Sequence, residues 1–254
     1  KPQGVFGMGR VANLDDVASS GQFGSSGIFL GALNGRLLFY KGEAPVLSII
    51  PTGGGKGRDF ILPTLAQMQS DRSFFVIDAK DGENAYAAAL FRQRVLGERC
   101  IFINPCGIRA HEFPNTRINP LQGVIDRAAQ GKSITTQATE IAQIIIPRST
   151  DGKEEGWVRS GAIRLLATYI MYRARYTPER CTLEDVWRFI NASDEDLDMT
   201  FALLTTCGDA AIEGRAHGFN AIRLKADKQW VAYASAIADA VEMFEPGSEI
   251  ADAT

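Results

Sequence analysis

Three consecutive glycines followed at once by a lysine, Gly53-Gly54-Gly55-Lys56, are the residues here best suited to chemistry. Without a Cβ the main chain can come close to an anion. Backbone N–H groups at a loop-to-helix junction, with the helix dipole and an ammonium, then offer positive potential to phosphate oxygens. The run departs from the consensus G-x-x-x-x-G-K-[ST] at two places. Ile50 stands at the first glycine, and Gly57 stands where the consensus has the hydroxyl that holds Mg2+. Thr52 is a candidate replacement for that hydroxyl. A phosphate cradle and a merely flexible loop are both open readings. A second candidate is Asp78, which ends the apolar run 73–78 (SFFVID) at the edge where ligands sit in open α/β sheets. Either it steers Mg2+ or water beside the phosphates, or residues 78–83 (DAKDGE) form a charged turn that caps the next helix. Arg58 and Asp59 open the helix after the glycines, where an acid opposes a phosphate unless it faces away; neither is read as a ligand.

Positioning these residues requires alternating strands and helices. The run 45–50 (PVLSII) reads as a short strand feeding the glycine loop, and residues 58–69 carry Phe60, Ile61, Leu65 and Met68 at helical spacing. The pattern repeats with a strand at 73–78, an alanine-rich helix at 83–96 and a strand at 99–103. Such alternation predicts an α/β fold with a parallel sheet and right-handed crossovers. Before it, Asn34-Gly35 between two apolar runs predicts a β-hairpin within 27–43. From about residue 121 the periodic segments are helical: 156–175, a helix N-capped by Thr182, 193–205 and 220–244. The expected organisation is a hairpin and nucleotide-binding core over 1–121, an all-α domain over 122–245 with an exposed connection at 146–155, and a return segment over 246–254.

Composition narrows the rest. A 254-residue chain with 45% hydrophobic and 22% charged positions is ordinary globular material. Its net charge of −3 supplies no general attraction for nucleic acid, so any such contact is local. Cys100, Cys106, Cys181 and Cys207 form no C-x-x-C pair, and His111 and His217 are isolated, which speaks against zinc, disulfide and histidine-based catalysis. Arg215, Arg223, Lys225 and Lys228 near Trp230 and Tyr233 read as a solvated helix face, with phosphate and base contact the competing reading. Trp157, Trp187 and Trp230 read as packing residues. No run of about 18 apolar residues occurs. The chain starts at Lys1 without Met and stops at Thr254 in an apparent helix or strand approach, so a piece cut from a longer protein is expected.

In this order the motifs resemble the TraG-type coupling proteins of type IV secretion and conjugation systems. The matching stretches are 4–12 (GVFGMGRVA), 27–31 (GIFLG) with 36–38 (RLL), 44–47 (APVL), 51–57 (PTGGGKG), 75–80 (FVIDAK) with Gly82, Glu83 and Asn84, 102–105 (FINP) and 117–121 (RINPL), with further likeness over 157–172 and 249–254. The resemblance implies a RecA-like nucleotide-binding core interrupted by an all-α domain. It also implies a hexameric ring at the cytoplasmic face of the bacterial inner membrane. That ring recruits relaxase-bound DNA or effector proteins and passes them to secretion-channel components, driven by ATP with Mg2+; single-stranded DNA is among the implied partners. Thr52, Gly53, Gly54, Gly55, Lys56 and Gly57 match the family's phosphate loop, where glycine at position 57 is not unusual, and Asp78, Lys80 and Glu83 match its second motif. Asp81 is an insertion in that second motif. The catalytic pair expected is Lys56 on the β- and γ-phosphates and Asp78 on metal or water. Membrane helices before Lys1 and a second acidic strand after Thr254 are expected elsewhere in the whole protein, so this chain alone is expected to turn over no ATP. Two other classes stay open: a substrate-receptor module with an idle loop, and an unrelated P-loop NTPase.

Overall fold

A computed structural model describes residues 11–67, 73–147 and 156–253. The matched stretch at 4–12 falls mostly outside these residues, as do most of the 146–155 connection, Met68 and Gln69 of the helix expected over 58–69, which ends at Leu65 with Ala66 as its C-cap, and the terminal Thr254. The chain divides into two compact units, residues 1–101 and 102–254.

The first unit opens with α1 (Leu14–Ser19), started by a reciprocal capping box in which Asn13 and Asp16 each bond the other's backbone N–H at 2.8–2.9 Å. The expected hairpin follows as β1 (Ile28–Leu33) and β2 (Arg36–Tyr40), antiparallel, with Leu33 opposite Arg36 across Asn34-Gly35. Both turn residues have positive φ, 50° and 72°, which matches the right-handed twist of the strands. The glycine loop then leads into a π-helical turn (Gly57–Ile61) continuous with α2 (Leu62–Leu65). The second motif leads likewise into a π turn (Ala85–Ala89) continuous with α3 (Leu90–Arg94).

Gln67 ties α2 to the hairpin: its amide accepts from the Gly27 N–H at 3.0 Å and donates to the Gly27 carbonyl at 2.7 Å. Thr64 Oγ1 accepts from Phe29 N at 3.1 Å. Arg92 joins α3 to α2 by donating to the Leu65 carbonyl at 2.7 Å, and it pairs with Glu98 at 2.5 Å.

Among the described residues the ladder of β1 and β2, with an isolated bridge between Phe23 and Leu38, is the whole of the strand pairing. The runs 45–50, 73–78 and 99–103 carry no ladder. Their side chains stand in the open: Leu47, Ile49, Phe75 and Ile77 are 82–86% exposed. Strand pairing is non-local, so an apolar run specifies a readiness to pair and not the partner.

The second unit is helical: α4 (Gln122–Ala129), α5 (Thr135–Ile145), α6 (Gly156–Tyr176), α7 (Leu183–Ile190), α8 (Asp194–Thr205), α9 (Ala210–Lys225), α10 (Asp227–Val241) and α11 (Glu249–Ala253). α6 runs through its middle, buried on nearly every side from Gly161 onward, with α4, α5, α9 and α10 packed around it. Thr182, Ser193 and Asp209 cap α7, α8 and α9 through side-chain oxygens. The stretch 220–244 expected as one helix is split at Ala226, whose φ of −142° and ψ of 60° end α9 and start α10. Apolar spacing runs unbroken across that joint, so periodicity alone does not show it.

Candidate functional site

The loop before α2 is shaped by its glycines. Gly53 and Gly55 adopt φ of 79° and 80°, a region that side-chain-bearing residues rarely enter. At Gly54 a Cβ would stand 2.7 Å from the Ile50 side chain and 3.0 Å from the Pro51 carbonyl, so a larger residue is excluded there for want of space. The Gly54 N–H closes the turn onto Pro51 O at 3.0 Å. Nothing lies within 4 Å of a Cβ built on Gly53 or Gly57. Lys56 sits at the helix start, exposed and with no ion-pair partner among the described residues. Thr52 is exposed on the same loop. A phosphate group fits this arrangement of open amides and a free ammonium.

The acid at the helix start, read from the sequence as tolerable only if it faces away, does not face away. Asp59, fixed through its N–H to Gly55 O at 2.8 Å, folds its carboxylate back over Gly55. A Cβ on that glycine would lie 2.5 Å from Asp59 Oδ2. Arg58 grips the same carboxylate with a fork, Nε to Oδ1 at 2.6 Å and Nη2 to Oδ2 at 2.8 Å. The hydrogen bond to Arg58 lowers the Asp59 pKa and raises that of Arg58 in turn.

Asp78 is engaged elsewhere. Its Oδ2 accepts from the N–H groups of Asn84 at 2.8 Å and Ala85 at 3.0 Å; its Oδ1 accepts from Asn84 Nδ2 at 3.1 Å and Lys80 N at 3.3 Å. A carboxylate has about four lone-pair sites, so this one has none spare, and helix capping is the role its geometry supports. A magnesium ion does not fit Asp78 unless those bonds are surrendered. The inserted Asp81 is absorbed with Gly82 in a tight turn, both at positive φ (46° and 75°), closed by the Glu83 N–H on Lys80 O at 2.9 Å. Lys80 and Glu83 side chains are exposed. Among the described residues no three His, Cys, Asp or Glu side chains gather as a metal centre.

In the helical unit the four basic residues read as one face separate. Arg223 is buried and pairs with Asp198, and Arg215 points to the Met171 sulfur, which leaves Lys225 and Lys228 exposed. Trp187 and Trp230 pack against the core, and Trp157 meets the Tyr233 ring edge-on at 5.8 Å. His111 and His217 are exposed.

A buried polar set was not legible in the sequence. Tyr169 donates to Asp185 Oδ2 at 2.6 Å, Arg173 reaches both the Tyr169 hydroxyl and Asp185, and Arg180 closes on Asp185 Oδ1 at 3.0 Å. The two Asn-Pro motifs also gain physical roles. The Asn104 amide donates to the carbonyls of Ile108 and Phe113, each at 2.8 Å, closing its loop. Asn119 donates to Cys181 O at 2.8 Å and accepts from Leu121 N at 2.9 Å, fixing the start of α4.

A family model described as "Type IV secretory system Conjugative DNA transfer" matches residues 15–248. No curated protein and no solved structure matches the chain.

Proposed function

The chain belongs to the conjugative DNA transfer family of type IV secretory systems, and we propose that in this transfer it serves as a coupling component that binds ATP. The observation that carries this reading is the strand-type run, glycine loop and helix start at 45–65, with Gly53 and Gly55 at positive φ and Lys56 exposed. The amides of residues 53–57 would hold the phosphate oxygens, with Thr52 beside them, and the Lys56 ammonium would meet the β- and γ-phosphates. ATP, entering with its Mg2+, would supply the energy of phosphoryl transfer to water. Asp78 would act by holding the second loop and its helix in place, with Lys80 and Glu83 on the rim.

A RecA-like core with an inserted helical domain belongs to the same proposal. Apolar side chains exposed at Leu47, Ile49, Phe75 and Ile77 support it, because a strand covered on both faces in a parallel sheet has this composition. We further propose that the helical unit receives relaxase-bound DNA or protein cargo and that the working form is a ring at the inner-membrane face. The competing reading, a cargo receptor with an idle loop, draws on the Asp59 carboxylate standing over Gly55.

Isothermal titration of ATP with Mg2+ separates the two. Binding by the chain that weakens about tenfold or more in Lys56→Ala is expected, the usual size for losing a charged hydrogen-bonding partner. Equal, negligible heats from both proteins would leave the receptor reading standing.

A further inference from the structure

We propose that Arg58 is a phosphate ligand of the glycine loop held in reserve by Asp59, whose carboxylate stands in for the anion until nucleotide displaces it. This rests on the reading that the loop binds nucleotide. Neighbouring residues on a helix point about 100° apart and do not ordinarily face each other, yet Arg58 and Asp59 form a two-point fork at 2.6 and 2.8 Å. They manage it by both turning back toward the loop. A Cβ placed on Gly55 would meet Asp59 Oδ2 at 2.5 Å and Arg58 Nη2 at 3.3 Å, so the pair lies over the glycine that directly precedes Lys56.

The guanidinium presents there the geometry it uses for carboxylate and phosphate alike, two parallel N–H donors to two oxygens. Which anion it holds is then a competition. The side chains are 82% and 58% exposed, and exposed pairs are weak. A triphosphate brings more charge and more oxygens than one carboxylate and is held at the same time by Lys56 and the loop amides. Nucleotide arrival would exchange Asp59 for a phosphate as the partner of Arg58. Asp59, left near the phosphates without a counter-charge, would then oppose binding and set its threshold.

The test is displacement of trinitrophenyl-ATP by ATP with Mg2+, followed by fluorescence at several salt concentrations. It is run on the unmodified chain and on Asp59→Asn, Arg58→Gln, the double variant and Lys56→Ala, each checked by circular dichroism for native helicity. Asp59→Asn is expected to bind about threefold tighter or more, and Arg58→Gln about threefold weaker or more with a shallower salt dependence. The gain from Asp59→Asn should shrink when Arg58 is already Gln. If Lys56→Ala loses binding while Asp59→Asn leaves the affinity unchanged or weakens it, the loop binds nucleotide and the reserve role of Arg58 is overturned. A tighter Asp59→Asn beside an unchanged Arg58→Gln overturns it equally, since Arg58 would then touch no phosphate. Absence of binding in every protein would remove both this inference and the reading beneath it, whereas binding by Asp59→Asn alone would support both.

Discussion

Cys181 and Cys106 carry the same thiol in opposite surroundings, one buried and one exposed. Burial pushes the Cys181 pKa from an ordinary 9.0 up to about 12, helped by the nearby Asp185 carboxylate and opposed by Arg173. Tyr169 is raised as well, by burial first and by the charge of Asp185 next. An unfolded chain releases the Cys181 proton near 9, whereas the folded chain keeps it to about 12. Stability from this group is therefore full below pH 9 and is lost as the pH climbs through that window, by about 4 kcal/mol in the limit at roughly 1.4 kcal/mol per pKa unit. Urea midpoints taken from pH 8 to pH 11.5 should fall for the unmodified protein and fall less steeply for Cys181→Ala. Equal slopes would mean that this thiol does not govern the alkaline limb.

At the scale of elements, Gly161 decides how α6 meets α10. A Cβ there would fall 2.1 Å from the Tyr233 ring, an impossible approach, so the absent side chain is what seats the tyrosine. Helix propensity alone favours alanine over glycine by about 1 kcal/mol. The packing clash has the opposite sign and is larger, so Gly161→Ala should destabilise the helical unit by about 1–3 kcal/mol. Adding Tyr233→Leu, which removes the ring, should recover part of that loss, although it also forfeits the bond from Gln229 to the Tyr233 hydroxyl at 2.6 Å. A stabilised Gly161→Ala single variant in chemical denaturation would show that α6 and α10 do not pack in this way. The caps on α7, α8 and α9 act more locally, each satisfying one or two amides at a helix start.

Across the whole molecule, the continuous apolar core runs from Leu121 to Phe244 and lies within the unit 102–254. A unit that owns its core can fold without outside help. Residues 102–254 expressed alone should give a strongly helical circular dichroism spectrum and one cooperative thermal transition; a gradual loss of signal with heating would place part of the core's support outside this segment. The first unit is different in kind, for its extended runs leave large apolar side chains in water. None of the helices of the described residues is long and apolar enough to cross a membrane.

Local chemistry was readable from residues alone. Asn34-Gly35 specified the hairpin because that pair tolerates two positive φ angles, Thr182 specified a helix start because its oxygen reaches the amide three residues on, and the glycine run announced a loop that only glycines can trace. The ordered succession of short motifs was enough to point to a family. Folding decided what depends on distant partners. Asp78 became a helix cap because a neighbouring turn brought four donors to it. Arg223 left a basic face because Asp198, on another helix, lay within reach. Asp185, Tyr169 and Arg173 became one buried set because α6 and α7 cross there. The fork of Arg58 on Asp59 arose from a backbone path that turned two adjacent side chains the same way. Spacing along a chain encodes contacts within a turn or two, while the choice among several oppositely charged partners is made only when packing sets which of them comes close.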